Sequence, residues 1–331
     1  MSSSEKNQSK PLLTVEQQIE HLKSRGVTFN LCSDEEAADY LAHANNYLRA
    51  ACYRKLYPMR SSGERAGSYI GLDFGALVRL SSADRVLRSA LREITLDVEH
   101  FARVELLDRA SGQGENGYDL VHDYVSDLRG RERQRISSGL SRRARKGASH
   151  DEYTGDLIAR YENGYPLWVF LEAVDFGMLC DLWLFCARRW NDNEMLGVHY
   201  VLKSVKSLRN AACHNSCIIN GFQASAQRAG YSPPAVLLAS MGAHGIRNTK
   251  ARRAKMHNLR VAQIAASLYA SYRFCVRSST RHRHAALMMD VRDAFSQVEP
   301  LCPKDGSLVS FFDFILRLVD IWLPATETEN R

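Results

Sequence analysis

Apolar residues recur every three or four positions through much of the chain, which is the spacing of helices that bury one face. The longest such segment covers residues 77–107, and its apolar face carries Leu87, Leu91, Ile94, Val98 and Phe101. Near the end of the chain the same spacing predicts helices over residues 261–276, 285–298 and 308–323. The pattern therefore predicts a chain built largely from amphipathic helices.

The N-terminal region contains two further helix signals. Thr14 and Gln17 have the spacing of a capping box, and Gly26 ends the helix that they open. A second helix is predicted to begin in the acidic residues after Ser33 and to carry a tyrosine-rich run as far as Tyr53. Acidic residues favour the positive end of a helix.

Residues 201–220 form the helix on which the functional hypothesis depends. At about 100° per residue, Asn210 and His214 share the face opposite an apolar stripe, and Arg209 lies on the flank. The stripe consists of Val201, Val205, Leu208 and Ala212. Because the stripe must face the core, we expect the three polar side chains to be available for chemistry.

This triplet suits the chemistry of phosphate esters. The imidazole of His214 transfers protons near neutral pH, and the guanidinium of Arg209 binds a phosphoryl group through two donors. Asn210 can orient either side chain. A second interpretation stays open, in which the face is solvated and its histidine occurs there by chance.

The composition is that of a globular protein with a polyanionic partner. The 331 residues are 45% hydrophobic and 24% charged, enough for a sizeable core. A net charge of +7 favours nucleic acid or an anionic membrane surface as the partner. The eight cysteines form no paired framework, no apolar run is long enough to span a bilayer, and no cationic segment precedes an apolar run at the start. These features predict a cytoplasmic protein that does not enter the membrane.

No motif for a metal or a cofactor is present. The sequence lacks a C-x-x-C pair, so a zinc site around Cys213, His214 and Cys217 is not expected. It also lacks a P-loop, a glycine-rich dinucleotide turn and a G-x-S-x-G elbow. We therefore expect neither a metal nor a cofactor.

Basic residues are concentrated in two segments. Residues 128–147 contain one acid, Glu132, no aromatic residue, and eight bases: Arg129, Arg131, Arg133, Arg135, Arg142, Arg143, Arg145 and Lys146. Two interpretations stay open: a solvated, mobile insertion, or an arm that binds RNA phosphates without reading their sequence. The second segment, residues 246–260, includes Arg252 and Arg253 as RNA-binding candidates.

The polar triplet resembles a known signature. The run R-N-A-A-C-H-N, residues 209–215, is similar to the R-x4-H motif of the HEPN ribonuclease superfamily. With its flanks it resembles the Abi-like (abortive infection, AbiD/AbiF-type) family, whose pattern is approximately R-N-x-C-A-H-H-x-R-L-W-N. The chain keeps the triplet and the closing Asn220. It departs from the pattern at Asn215, Cys217 and Ile219.

Further blocks carry the same resemblance. Residues 40–53 are similar to an N-Y-Y-R-L-x-x-Y element, in which we expect the tyrosines in the core and Arg49 against RNA phosphate. Residues 84–88 resemble F-D-R-x-L-R, and Glu99 with Arg103 resembles E-x-x-x-R. Both blocks lie away from the apolar stripe of their helix and are predicted to lie outside the core. Glu99 and Arg103 form either a simple surface ion pair or a support in which Glu99 orients Arg209, since the resemblance implies that the two longest helices pack together.

The most specific block is P-x-W-x-x-x-E-x-x-x-F-G-x-L, which begins at Pro166. Proline favours a helix start, and the helical spacing continues as far as Val174 and Asp175. We expect Trp168 and Phe176 of this block to pack in the core. Glu172 is a supporting candidate, because a carboxylate on a mostly apolar helix needs a partner.

The resemblance implies an all-α fold, a HEPN-type helical bundle with additional N- and C-terminal helices. We predict a disordered tail over residues 1–10, an Abi-like domain over residues 11–225 with the basic insertion, and a helical extension over residues 226–331.

The implied activity is metal-independent RNA cleavage by Arg209, Asn210 and His214 in bacterial abortive infection. HEPN proteins pair two such motifs, so a homodimer is expected, and an antitoxin is a further possible partner. An RNA-binding module that holds a small structured RNA without cutting it is the alternative. A pure interaction protein, with the motif as a dimer seam, leaves the basic excess unexplained.

Overall fold

The computed structural model describes residues 11–145, 147, 150–223, 231–303 and 306–324. The all-α prediction is confirmed: these residues contain fifteen α-helices and, apart from two isolated bridges, no β-structure. The helices are α1 (Val15–Ser24), α2 (Asp34–Asp39), α3 (Tyr47–Ala51), α4 (Phe74–Gly112), α5 (Gly117–Asp127), α6 (Gly130–Ala144), α7 (Gly155–Arg160), α8 (Leu167–Ala173), α9 (Phe176–Arg189), α10 (Asn193–Cys213), α11 (Ala235–Ala243), α12 (Lys250–His257), α13 (Leu259–Phe274), α14 (Ser278–Val298) and α15 (Ser307–Trp322). The predicted tail and the predicted boundary at 225/226 lie outside the described residues.

Five helices pack together at the centre of the fold. The longest, α4, packs against α10, α13 and α14, and α13 also packs against α10 and α15. The side chains between them are almost entirely apolar, so the C-terminal helices share one hydrophobic core with α4 and α10. No helix of the described ranges combines the length and the apolar character that crossing a bilayer requires.

The first predicted helix is confirmed. The second was predicted as one continuous helix, which is wrong, because it is interrupted. Thr14 and Gln17 form the capping box of α1, and Gly26 follows with a φ of 80°. The second segment is α2, a π-helical turn and then α3. The helix breaks because Asn45 is extended and the side chain of Asn46 accepts a hydrogen bond from the Arg49 backbone N–H, which caps α3.

The tryptophan-containing block forms two helices instead of one. Val174 is extended, and the side chain of Asp175 caps α9 by accepting from the Met178 N–H. Phe176 is buried as predicted, whereas the prediction for Trp168 is wrong: it is 51% exposed, and its ring forms a T-shaped pair with Tyr118. Trp168 and Glu172 form the exposed face of α8.

Glu172 lies on that exposed face of α8. The expectation that this carboxylate needs a partner is wrong, because the side chain is exposed and solvent stabilises its charge. The structure does not place Glu172 in the site described below.

The described part of the basic segment is mostly a helix, α6, and both interpretations of it, a mobile insertion or an RNA-binding arm, stay predictions. Helix α6 buries Ile136 and Leu140 and packs against α7. Its arginines are exposed except for Arg143, which binds the carboxylate of Asp151 at 2.8 Å and the carbonyl of Ala173 at 2.6 Å. The exposed Arg133 donates to the carbonyls of Val125 and Leu128 at 3.0 and 3.3 Å. Lys146 lies outside the described residues.

The buried His199 of α10 makes the stability of the bundle dependent on pH. Its side chain contacts the carbonyl of Cys180 at 2.9 Å, and burial lowers its pKa to about 4. As the pH falls, the histidine is therefore protonated at a higher pH in the unfolded chain than in the folded protein. For this group we expect the free energy of unfolding to decrease between pH 6.5 and 4, by about 3 kcal/mol in total.

The check is urea unfolding of the wild type and of His199→Asn at pH 7 and pH 5. The difference in stability between the two proteins should shrink at the lower pH, since the variant has no proton to take up at this position. An unchanged difference would contradict the assignment.

Candidate active site

The motif helix ends one residue before the histidine. Helix α10 stops at Cys213, His214 is its C-cap residue, and Asn215 has a φ of 58°. The N–H groups of Asn215 and Ser216 donate to the carbonyls of Ala212 and Ala211 at 3.1 and 2.8 Å, which is a Schellman motif. The predicted helix over residues 201–220 is therefore too long, because asparagine accepts the left-handed conformation that terminates it.

His214 consequently lies at the exposed tip of the helix. As the C-cap residue, it stays one helical turn beyond Asn210. Its backbone N–H still donates to the Asn210 carbonyl at 2.9 Å. The imidazole therefore stands next to the last turn of α10, accessible to a ligand that approaches the helix end.

Arg209 is held by a buried carboxylate. Its Nη2 donates to Oε2 of Glu99 at 2.7 Å, and its Nη1 donates to the side-chain oxygen of Asn210 at 3.1 Å. Oε1 of Glu99 accepts from Arg103 Nη2, also at 2.7 Å, and Arg103 reaches the Val174 carbonyl at 3.0 Å. The expectation that Glu99 lies outside the core is wrong, since it is only 6% exposed.

The two arginines around Glu99 retain positive charge and unused donors. Two guanidinium groups and one carboxylate leave a net charge of +1. Nε of Arg103 and Nε of Arg209 are buried and have no hydrogen-bond partner among the described residues. A buried donor without a partner is costly, so it is the net charge of the cluster, and not these two inaccessible nitrogens, that favours an anion nearby.

A second buried carboxylate anchors the segment that follows His214. Oδ1 of Asp84 accepts from the backbone N–H groups of Ile218 and Ile219 at 2.8 and 2.6 Å, and Oδ2 pairs with Arg88 of the same helix. Asp84 is 0% exposed and Arg88 is 7% exposed, which contradicts the prediction that they lie outside the core. Burial raises the pKa of Asp84, although the backbone donors and Arg88 oppose that effect.

Cysteine and tyrosine side chains lie beneath the same segment. A hydrogen bond from Cys52 lowers the pKa of Cys217, and a hydrogen bond from Tyr53 adds to that effect. Burial raises the pKa of Tyr53. No group of three or more His, Cys, Asp or Glu side chains in the described ranges is arranged to hold a metal ion.

The RNA-binding candidates occupy several environments. Arg49 reaches the motif loop, where its Nη2 donates to the carbonyl of Asn215. Arg252 is buried and donates to the Ile246 carbonyl at 2.8 Å, so its predicted role in RNA binding is wrong. Exposed side chains remain at Arg253 and, around α6, at Arg129, Arg131, Arg133, Arg135, Arg142 and Arg145.

One arrangement that the sequence did not suggest imitates a catalytic triad. The ring of His284 lies 2.7 Å from Oγ of Ser271 and 2.8 Å from Oδ2 of Asp97. Ser271 and His284 are 0% exposed, so no substrate reaches the hydroxyl. The three residues instead connect α13, α14 and α4 inside the core, and their positions far apart in sequence gave no signal.

A comparison with protein families identifies one family. The family model described as Abi-like protein matches residues 39–220. The match includes both buried carboxylates, the motif helix and the loop after His214. No curated protein and no solved structure matches the chain.

Proposed function

Because the chain belongs to the Abi-like protein family, we propose that it is a metal-independent endoribonuclease of bacterial abortive infection. The family assignment supports the role in defence. The chemistry rests on the motif at the end of α10. The observation that carries the proposal is the pair of hydrogen bonds by which Glu99 holds both Arg209 and Arg103 at 2.7 Å.

The reaction is an internal transesterification. The 2′-hydroxyl of RNA attacks the adjacent phosphorus, and the bond to the 5′-oxygen of the next nucleotide breaks. His214 either accepts the proton of the 2′-hydroxyl or donates one to the leaving oxygen. The products are a 2′,3′-cyclic phosphate and a 5′-hydroxyl, and no water is consumed.

Arg209 stabilises the charge that develops on the phosphorane. A guanidinium is most effective when it is already oriented toward the position of that charge. Glu99 and Asn210 supply this orientation, since each binds a different nitrogen of Arg209. Glu99 is therefore a positioning residue, with Arg103 as its second partner.

A homodimer is part of the proposal. One exposed histidine cannot act as both acid and base in a single step, and a second copy would supply a second motif. The arginines around α6 and Arg253 would attract the RNA over a longer distance. An inhibitory antitoxin, whether protein or RNA, would act by covering the same basic surface.

The alternative is an RNA-binding module that does not cut. The departures from the family pattern at Asn215, Cys217 and Ile219 favour it, because these positions replace a histidine, an arginine and a tryptophan. Asn215 terminates the helix and Ile219 is buried, so neither can replace a lost catalytic group. The two functions differ in whether the bound RNA is cleaved.

The test uses the purified protein on defined single-stranded RNA in EDTA, with the oligomeric state measured under the same conditions. We expect fragments that end in a cyclic phosphate, and no fragments from an RNA methylated at every 2′-oxygen. Retention of intact RNA without fragments would support the binding module. Cleavage that requires a divalent cation would overturn the proposed mechanism.

A further inference from the structure

A polar cleft adjoins the motif loop on the side of the N-terminal helices. It lies between the α2–α3 region and the first turns of α4, and its volume is about 540 Å³. Asn215, the residue after His214, forms part of its wall. The cleft therefore borders the motif loop at the residue that follows His214.

The charges of the cleft are suited to an anion. Three arginines line it, Arg49, Arg85 and Arg88, and no acidic residue does. Arg88 is neutralised by the buried Asp84, and Arg49 is partly engaged with the Asn215 carbonyl. The exposed Arg85 has no hydrogen bond or ion pair with any described residue. Its guanidinium is available for a phosphate.

The remaining wall offers groups that read or stack on a base. Nδ2 of Asn45 donates to the hydroxyl of Tyr40 and to Oγ of Ser81, both at 3.0 Å, which fixes the three side chains relative to each other. The side-chain oxygen of Asn45 accepts no hydrogen bond from any described residue, so it is available to a ligand. Amides and hydroxyls recognise the edges of unpaired bases, and aromatic rings stack on their faces.

The same residues that form the cleft also fix the motif loop. Arg49 binds the loop at Asn215, and Arg88 holds the carboxylate of Asp84, which in turn anchors Ile218. A ligand in the cleft can therefore contact Asn215, the neighbour of His214 in sequence. These shared contacts with the motif loop favour a subsite of the active site over an unrelated pocket.

We propose that this cleft binds the nucleotide next to the cleaved phosphate of a single-stranded RNA. Arg85 and Arg49 hold the phosphate of that nucleotide, and the side chains around Asn45 contact its base. The inference rests on the proposed function, and it specifies the substrate as an unpaired segment. A duplex would keep the base inside its stack and out of the cleft.

The experiment measures binding separately from cleavage. A fluorescent oligonucleotide with 2′-O-methyl groups at every position cannot undergo transesterification, so its Kd reports recognition alone. We expect Arg85→Glu to raise this Kd about tenfold or more. Arg79→Glu makes the same charge change at an exposed residue of α4 that does not line the cleft, and it should change Kd by less than twofold.

A second variant removes the space without changing the charge. Ser82 is exposed and lines the cleft, so Ser82→Trp should also weaken binding while the circular dichroism spectrum stays that of the wild type. If both glutamate variants weaken binding equally, the effect is general electrostatics and the subsite is overturned. The subsite is also overturned if neither Arg85→Glu nor Ser82→Trp changes Kd.

Cleavage assays distinguish failure of the subsite from failure of the proposed function. If the protein cuts RNA, Arg85→Glu should raise KM and leave kcat close to that of the wild type. If wild type cuts nothing but the Kd differences persist, the ribonuclease proposal fails and the cleft stands as an RNA-binding site. If the wild type cuts RNA and Arg85→Glu has an unchanged KM, the ribonuclease proposal stands and the subsite is overturned.

Discussion

Replacing His214 with alanine is expected to lower the rate of RNA cleavage by about 10²–10⁴-fold, which is the usual contribution of a positioned acid or base. The side chain is exposed and makes no hydrogen bond in the described residues, whereas its backbone N–H belongs to the helix end. Alanine keeps that N–H. We therefore expect the variant to fold and dimerise as the wild type does.

Arg209→Lys tests the second half of the motif with less disturbance than alanine. Lysine keeps a positive charge beside Glu99, so the buried carboxylate is not left with Arg103 alone. It removes the planar fork that binds a phosphoryl group through two donors. We expect the rate to fall about 10²–10³-fold, the loss typical of removing one donor that stabilises the transition state.

Both variants are measured under single-turnover conditions, where product release does not limit the rate. The control is His282→Ala, which removes an exposed histidine from α14, outside the site. Its rate should match that of the wild type. If His214→Ala and Arg209→Lys also cleave at that rate, the motif has no catalytic role and any nuclease activity lies elsewhere.

The helices were predictable because each carries an apolar stripe at helical spacing. The extent of α4 differs from the prediction by only a few residues at each end. It begins before residue 77 because the side chain of Asp73 caps its start. The interruptions were harder to predict. Asn46, Asp175 and Asn215 each end or restart a helix through a cap or a left-handed turn, and the periodicity of the neighbouring residues does not show such local competition.

The errors about burial have a different cause. Glu99 and Asp84 lie away from the apolar stripe of α4, which made them appear solvent-exposed. They are buried because α10 and the segment after it cover that side of the helix, where Glu99 meets the guanidinium of Arg209 and Asp84 meets two backbone N–H groups. The pattern of one helix does not indicate a partner that is more than a hundred residues away in sequence. Only the family resemblance suggested that Glu99 faces Arg209.

Arg252 shows the same limit in the opposite direction. The basic run over residues 246–260 predicted a solvated patch, yet one arginine of that run turns inward and caps the Ile246 carbonyl. Arginine can be buried when its donors meet carbonyls or carboxylates. The count of charges in a segment therefore predicts the attraction of a polyanion but not which side chains touch it.

Asp84→Ala is expected to have the largest effect on stability in the motif region. The change leaves the Arg88 guanidinium buried without its counter-charge, which costs about 3–5 kcal/mol. It also removes the acceptor of two buried N–H groups, at Ile218 and Ile219. The measurement is urea unfolding at neutral pH, with circular dichroism as the probe.

A surface pair provides the comparison. Asp320→Ala breaks the exposed ion pair with Arg292 and should cost less than about 1 kcal/mol. The double variant Asp84→Ala/Arg88→Met removes both buried charges and should recover part of the stability lost by Asp84→Ala. If the double variant is no more stable than Asp84→Ala, the unpaired arginine is not the source of the loss.

Asp84 also affects the candidate active site, because it anchors the loop that follows His214. Its two N–H contacts hold the chain four and five residues beyond His214, so they fix the path of the loop that leaves the end of α10. Asp84→Asn keeps one oxygen for those donors but loses the charge that balances Arg88. We expect it to be destabilised less than the alanine variant and to cleave RNA more slowly than the wild type at temperatures where it is fully folded. A fully folded Asp84→Asn protein that cleaves at the wild-type rate would show that the loop keeps its position without this anchor, and Asp84 would then contribute to stability alone.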